Sequence, residues 1–224
     1  MAAKSAKRGG ASGAARAPRY SRKSPDERRR LLVEAAIACL GEGGMTAFTI
    51  DRICRAAGVS RGLINHHFDG KDALLVAVYE AMTEQLAETL ETRLADPASG
   101  PEARLTAVIA ASFAPEAFGA AQMRAWLALW GEVSTNRELQ AAHRRLYALY
   151  RDGLARAIGE IAEARGRVVE TEALAISLIA LIDGLWLECC LDPTLLAPAD
   201  AKAACHALLA AQIGEIATEA PSSA

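Results

Sequence analysis

Between residues 48 and 71 the chain reads FTIDRICRAAGVSRGLINHHFDGK, and this stretch concentrates side chains whose chemistry suits nucleic acid. Arg61 offers a planar fork of N–H donors, which can form a bidentate pair with the O6 and N7 atoms of guanine or bond a phosphate instead. Asn65 can pair with adenine or bond a phosphate oxygen. His66 and His67 add two polar rings; at least one is expected to face DNA, and the other can satisfy the core. Gly62 lets backbone approach a groove closely, and Leu63 can pack on a thymine methyl or turn into the domain. Around them, Thr49, Arg52, Ser60 and Lys71 carry hydroxyl, guanidinium and ammonium groups suited to phosphate oxygens, with plain solvation the alternative for Arg52.

Such side chains act together only if local structure aims them. Thr49 stands where a helix cap belongs, and Ile50, Ile53, Cys54 and Ala57 recur at spacings of three and four, which predicts a helix of about two turns. Gly58 follows as a stop, because glycine takes positive φ without steric cost, and Ser60 is expected to cap a second helix from Arg61 to about His67. Two helices joined by a short glycine-containing turn make a helix-turn-helix. Upstream, Ser24-Pro25-Asp26-Glu27 opens a first helix whose stripe of Leu31, Leu32, Ala35, Ala36, Cys39 and Leu40 backs this pair, and Gly41-Glu42-Gly43-Gly44 ends it. After Asp69-Gly70, Lys71 starts a long helix running to about residue 94.

Alanine and leucine dominate the remainder and strand alternation is nearly absent, so the expected fold class is all-α. Further helices are predicted over 102–113, 120–134, 136–165, 169–191 and 198–217. The last two are apolar nearly all round and require cover on more than one face, which a second copy would supply through a four-helix homodimer interface. The predicted organisation is a disordered basic arm (1–23), a helix-turn-helix DNA-binding domain (24–75), a ligand-binding and dimerisation domain (76–218) and a short tail (219–224). The arm has no acid and no hydrophobic stretch, so a secretory signal is excluded, while an arm that touches DNA, a solvated tail and an organellar transit peptide all fit its composition.

The net charge of −2 conceals a strong split: residues 1–75 carry 14 Lys and Arg against 7 Asp and Glu, and residues 76–224 carry 11 against 20. The basic part suits phosphate. No enzyme motif is present: there is no Gly-rich phosphate loop, no Glu-x-x-His pair and no Gly-x-Ser-x-Gly elbow, so neither catalysis nor a cofactor is expected. The five cysteines have no metal-ligand spacing and are expected as reduced thiols, with redox sensing open only at the adjacent Cys189 and Cys190. The uncharged apolar run 173–182 falls short of the ~20 residues a bilayer needs, so no membrane partner is expected.

A second set of residues suits a small molecule. Trp126 and Trp130 are four apart, Tyr147 and Tyr150 three apart, and Asp183 precedes Trp186 by three, so each pair shares a helix face. Aromatic faces with a balancing carboxylate hold quaternary ammonium cations, although aromatics at helical spacing also serve as plain core.

Gly58-Val59-Ser60, Gly62, Leu63-Ile64, His66-His67-Phe68 and Gly70-Lys71-Asp72-Ala73-Leu74-Leu75 together resemble the N-terminal domain of the tetracycline-repressor (TetR) family of dimeric transcription regulators. Asn65 departs from that pattern, where the family usually carries tyrosine. Trp126-Leu127-Ala128-Leu129-Trp130 and the segment from Leu181 to Leu187 are similar to the C-terminal domain of choline-responsive repressors of glycine betaine synthesis. The resemblance implies a cytoplasmic repressor that binds a pseudo-palindromic double-stranded operator as a dimer and is released by a small-molecule effector. It also implies recognition helices about 34–36 Å apart.

Overall fold

A computed structural model of the chain describes residues 24–94 and 100–218, with side chains left undescribed at 85–94 and 116. The basic arm, residues 95–99 of the predicted loop and the tail from 219 lie outside the described residues. Within them every regular element is helical: α1 (Pro25–Ala47), α2 (Ile50–Ala57), α3 (Arg61–His67), α4 (Gly70–Leu94), α5 (Pro101–Ser112), a 3-10 turn (Pro115–Phe118), α6 (Ala120–Val133), α7 (Arg137–Ala164), α8 (Thr171–Leu191) and α9 (Pro198–Ile213).

Local chemistry sets the helix starts. At α1 the Ser24 hydroxyl accepts from the Glu27 N–H at 3.2 Å and the Glu27 carboxylate accepts from the Ser24 N–H at 2.6 Å, a reciprocal cap that satisfies two backbone donors. Asn136 caps α7 by accepting from the N–H groups of Glu138 and Leu139, each at 3.0 Å. Two helix ends differ from the sequence expectation. Helix α1 does not finish at 41–44; the backbone leaves helical geometry at Gly43 and Gly44 and resumes one turn to Ala47, so the glycines make a kink. Helix α9 stops at Ile213, four residues short of the predicted end. Gly214, at φ 87°, ends it, and Arg165 and Arg167 from the segment after α7 donate to the carbonyls left there, Arg165 to Ile213 at 2.8 Å and Arg167 to Gln212 at 3.2 Å.

The chain beyond α9 turns back over α5. Ile216 enters the core and the buried Thr106 hydroxyl donates to the Ala217 carbonyl at 2.5 Å. Helix α1 packs on α2, α4 and α6, while α4, α5, α7, α8 and α9 form the larger bundle. One continuous hydrophobic core runs through both parts, from Leu32, Ile53 and Ile64 to Leu178 and Leu209. Each fully buried Leu or Ile contributes about 1.5–3 kcal/mol relative to exposure.

Helix α8 is longer than the uncharged run it contains; at 21 residues it is long and apolar enough, by length and composition, to cross a bilayer. Its buried face of Leu174, Leu178, Ile182 and Trp186 nevertheless packs in the bundle, against α7 and α9. Its other face leaves Ile176 half exposed.

Candidate functional site

Helix α2 is held at both ends by the residues its sequence provides. The Thr49 hydroxyl accepts from the Arg52 N–H at 3.3 Å, and Gly58, at φ 66°, accommodates the left-handed turn while its N–H closes the last carbonyls. Ser60 adopts the extended geometry of a cap, yet its hydroxyl makes no cap hydrogen bond. The first turn of α3 is tightened so that the Leu63 N–H bonds the Ser60 carbonyl at 3.0 Å, which takes the donor the hydroxyl would have met. The Ser60 side chain stays exposed at the surface.

Helix α3 is anchored by Ile64, which is fully buried, and followed by the buried Phe68. Arg61, Gly62, Asn65 and His66 are exposed, whereas Leu63 and His67 are half-buried. Of the two histidines His66 is the exposed one, and the Nε2 atom of His67 is buried without a hydrogen-bond partner. Leu63 lies between its two alternatives, partly covered by the domain and partly open.

The cations beside α3 are held in defined poses. Arg52 donates to Glu42 at 2.6 Å, and the Lys71 ammonium sits 5.6 Å from the centre of the Phe48 ring. Arg61 forms a two-point ion pair with Asp51 of α2, through Nε to Oδ1 and Nη2 to Oδ2. Its guanidinium holds the Asp51 carboxyl below the usual aspartate range.

The second set of residues meets in the larger bundle. The Trp126 and Trp130 rings lie 5.9 Å apart, and the edge of Trp186 meets Trp130 at the same separation. The Trp186 indole donates to the Ala117 carbonyl at 2.9 Å. From α7, the Tyr147 hydroxyl donates to Asp183 at 3.1 Å. Burial pushes the Asp183 carboxyl up to about 6, an effect partly offset by the Tyr147 hydrogen bond. Burial, reinforced by the Asp183 charge, raises Tyr147 and Tyr150, so both remain protonated phenols.

Sequence reasoning missed two members of this cluster. The Tyr79 hydroxyl and His143 Nδ1 share a 2.6 Å hydrogen bond, the His143 ring lies tilted against Tyr147 with centroids 4.1 Å apart, and Tyr79 meets Trp126 edge-on at 6.1 Å. Burial lowers the His143 pKa, which disfavours the charged ring. Tyr79 lies on α4 and His143 on α7, 64 residues apart, so no local spacing announces the pair. The cysteines are free: Cys39, Cys54, Cys189 and Cys205 are buried, Cys190 is half-buried, and burial raises the thiol pKa of Cys189 and Cys190, which disfavours the reactive thiolate. No cluster of His, Cys, Asp or Glu able to hold a metal occurs among the described residues.

Comparison with known proteins gives two family matches. Residues 32–78 match the bacterial regulatory proteins of the tetR family, and residues 101–214 match the C-terminal domain of BetI-type transcriptional repressors. The HTH-type transcriptional regulator BetI of Serratia proteamaculans is 38% identical over 165 residues, covering 71% of this chain and 79% of that protein. A crystal structure of a transcriptional regulator from Pseudomonas aeruginosa superposes with a TM-score of 0.78 at 39% identity, over 86% of this chain and 93% of that one. A regulator from Saccharomonospora viridis, solved in complex with choline, has the same fold at 20% identity, with a TM-score of 0.72 over 82% of this chain and 96% of that one. The exposed α3 on its buried anchor, the helical bundle behind it and these matches agree: the chain belongs to the TetR family of DNA-binding, ligand-responsive transcription regulators, with a BetI-type repressor C-terminal domain.

Proposed function

We propose that this chain is a cytoplasmic repressor that places α3 of each of two copies in adjacent major grooves of a pseudo-palindromic operator and leaves it when a small cation binds. The observation that carries the DNA half is the asymmetry of α3: Ile64 fixes the helix to the core while Arg61, Gly62, Asn65 and His66 stay exposed. Thr49, Arg52, Ser60 and Lys71 then take phosphates on either side, and Leu63 and His67 border the contact. Residues 24–75 form the reading unit and 76–218 the sensing and pairing unit. Copies pair through α8 and α9; the half-exposed Ile176 and the apolar outer face of α8 support this.

The effector we propose is a choline-like cation held by Trp126, Trp130, Tyr147, Tyr150, Asp183 and Trp186, with Tyr79 and His143 completing the cluster. A carboxylate among aromatic rings supports this reading, since each cation–π contact contributes about 0.5–2 kcal/mol and the carboxylate balances the charge. The choline complex of the Saccharomonospora viridis regulator supports it further. The rings pack on one another here, so a bound cation must part them. Calorimetry with choline and betaine aldehyde tests the proposal: a binding heat that Asp183→Asn removes supports it, and absence of heat with either cation overturns it. Selection of duplexes from a random library by the full chain tests the operator half, which a motif without twofold symmetry would overturn.

A further inference from the structure

The ion pair between α2 and α3 changes what Arg61 can do. A guanidinium has five N–H bonds, one on Nε and two on each Nη. Asp51 occupies one edge of the fork, taking the Nε–H and one N–H of Nη2. Three N–H bonds are left, the two on Nη1 and the outer one on Nη2. Two of them are parallel and directed away from the carboxylate, which is the number and arrangement the O6/N7 edge of guanine accepts. The pair lies at the surface, with the Arg61 side chain 68% and the Asp51 side chain 57% exposed. Asp51 is thus where a phosphate oxygen would otherwise approach Arg61.

Two electrostatic consequences follow. The carboxylate cancels much of the charge that would draw Arg61 to any backbone phosphate, and it repels phosphates that come near. It also holds a long, flexible side chain in one pose, so less rotamer freedom is lost when a base is met. Arg52 is tied differently, by one guanidinium nitrogen, Nη2, to Glu42 and by a further hydrogen bond with Cys39, and neither is the two-point carboxylate pair that Arg61 makes.

From this geometry we infer that Asp51 is a specificity-determining residue: by bracing one edge of Arg61 it dedicates that side chain to a guanine and withholds it from the backbone. The inference rests on the proposal that α3 enters the major groove. It makes Asp51, an acid on a DNA-facing surface, a contributor to sequence preference.

The test is duplex selection from a randomised library by the full chain, followed by fluorescence anisotropy on the selected duplex and on a scrambled one of equal composition. Asp51→Ala, Asp51→Asn, Arg61→Ala and the double variant are compared with the parent, after circular dichroism verifies that each is folded. Arg61→Ala should erase one guanine position from the selected motif, with about tenfold less preference for the selected duplex. Asp51→Ala should weaken that same position while binding the scrambled duplex several-fold tighter, and Asp51→Asn, which keeps one acceptor, should fall between. The double variant should lose no more preference than Arg61→Ala alone, since the carboxylate acts through the arginine. If Asp51→Ala strengthens binding to both duplexes equally and keeps the guanine, the inference is overturned while the groove reading stands. If Arg61→Ala keeps every position of the motif, Arg61 reads no base and the inference falls, while a groove reading through Leu63 or Asn65 stands.

Discussion

At the scale of single residues, the cations around α3 and the acid in the bundle carry separate predictions. Lys71 stands over Phe48 at the start of α4, outside the exposed row of α3, so Lys71→Ala should weaken selected and scrambled duplexes alike and reduce the salt slope of binding by about one. Titrating both duplexes across a range of salt concentrations checks this. In the bundle, Asp183 ionises with a pKa of about 6, its neighbours Tyr147 and Tyr150 stay protonated and burial disfavours the charged form of His143, so this carboxyl dominates the charge of the cluster near neutrality. A cation requires the ionised form. Its affinity should therefore fall roughly tenfold between pH 7 and pH 5, as the ionised fraction drops from about nine-tenths to about one-tenth. The effect on stability has the opposite sense. Because the folded carboxyl binds its proton more tightly than the unfolded one, this group's contribution to stability falls as pH rises from about 4 to about 6 and stays low above that. Asp183→Asn should thus raise the stability of the unliganded protein at pH 8, by on the order of 1–3 kcal/mol, while abolishing cation binding. Thermal melts with and without choline measure both.

At the scale of elements, the turn between α2 and α3 and the seam between α1 and α6 respond to substitution for different reasons. Nothing lies within 4 Å of a Cβ added at Gly58, but its φ of 66° is costly for any other residue, so Gly58→Ala should destabilise by about 1 kcal/mol and lower Tm by about 2–4 °C. Gly41 has ordinary helical geometry, and there the obstacle is a neighbour: an added Cβ would lie 3.0 Å from that of Ala121 and 3.1 Å from its carbonyl oxygen. Gly41→Val should force α1 and α6 apart and cost about 1–3 kcal/mol, measured by urea unfolding. The Gly58 turn was legible in the sequence because a helix stop is a local matter of one glycine and the residues beside it. The all-α class, the placement of α2 and α3 and the Trp126–Trp130 face were legible for the same reason. The seam at Gly41, the Tyr79–His143 pair and the Asp51–Arg61 brace were not, since each depends on how separate helices are packed. The end of helix α9 was legible but misread: Gly214, at φ 87°, is a local stop directly after Ile213, and the arginines beyond α7 bond the carbonyls it leaves.

At the scale of the whole molecule, two functions share one core, and α1, α4 and α6 join them. Arg124 of α6 donates to the Gly41 carbonyl of α1 at 2.6 Å, two residues before Trp126, and Tyr79 of α4 faces both Trp126 and His143. Parting the aromatic rings would therefore press on α4, which follows α3 in the chain, and on α6, which is bonded to α1, the helix packed against α2. Coupling of this kind is typically about 1–3 kcal/mol and reciprocal: choline should weaken binding to the selected duplex about 5- to 150-fold, and saturating duplex should weaken choline by the same factor. Arg124→Ala should reduce both factors equally while leaving choline affinity in the absence of DNA nearly unchanged, which calorimetry with and without duplex measures. The return of the chain over α5 has its own consequence. Thr106 is buried and its hydroxyl finds its acceptor at Ala217, while Arg165 reaches the Glu215 carbonyl at 2.8 Å. A protein shortened to end at Ile213 would strand a hydroxyl in an apolar interior and uncover the pocket that Ile216 fills, so residues 214–217 act as a stopper for the bundle, and expression designs that trim them should yield an aggregation-prone product.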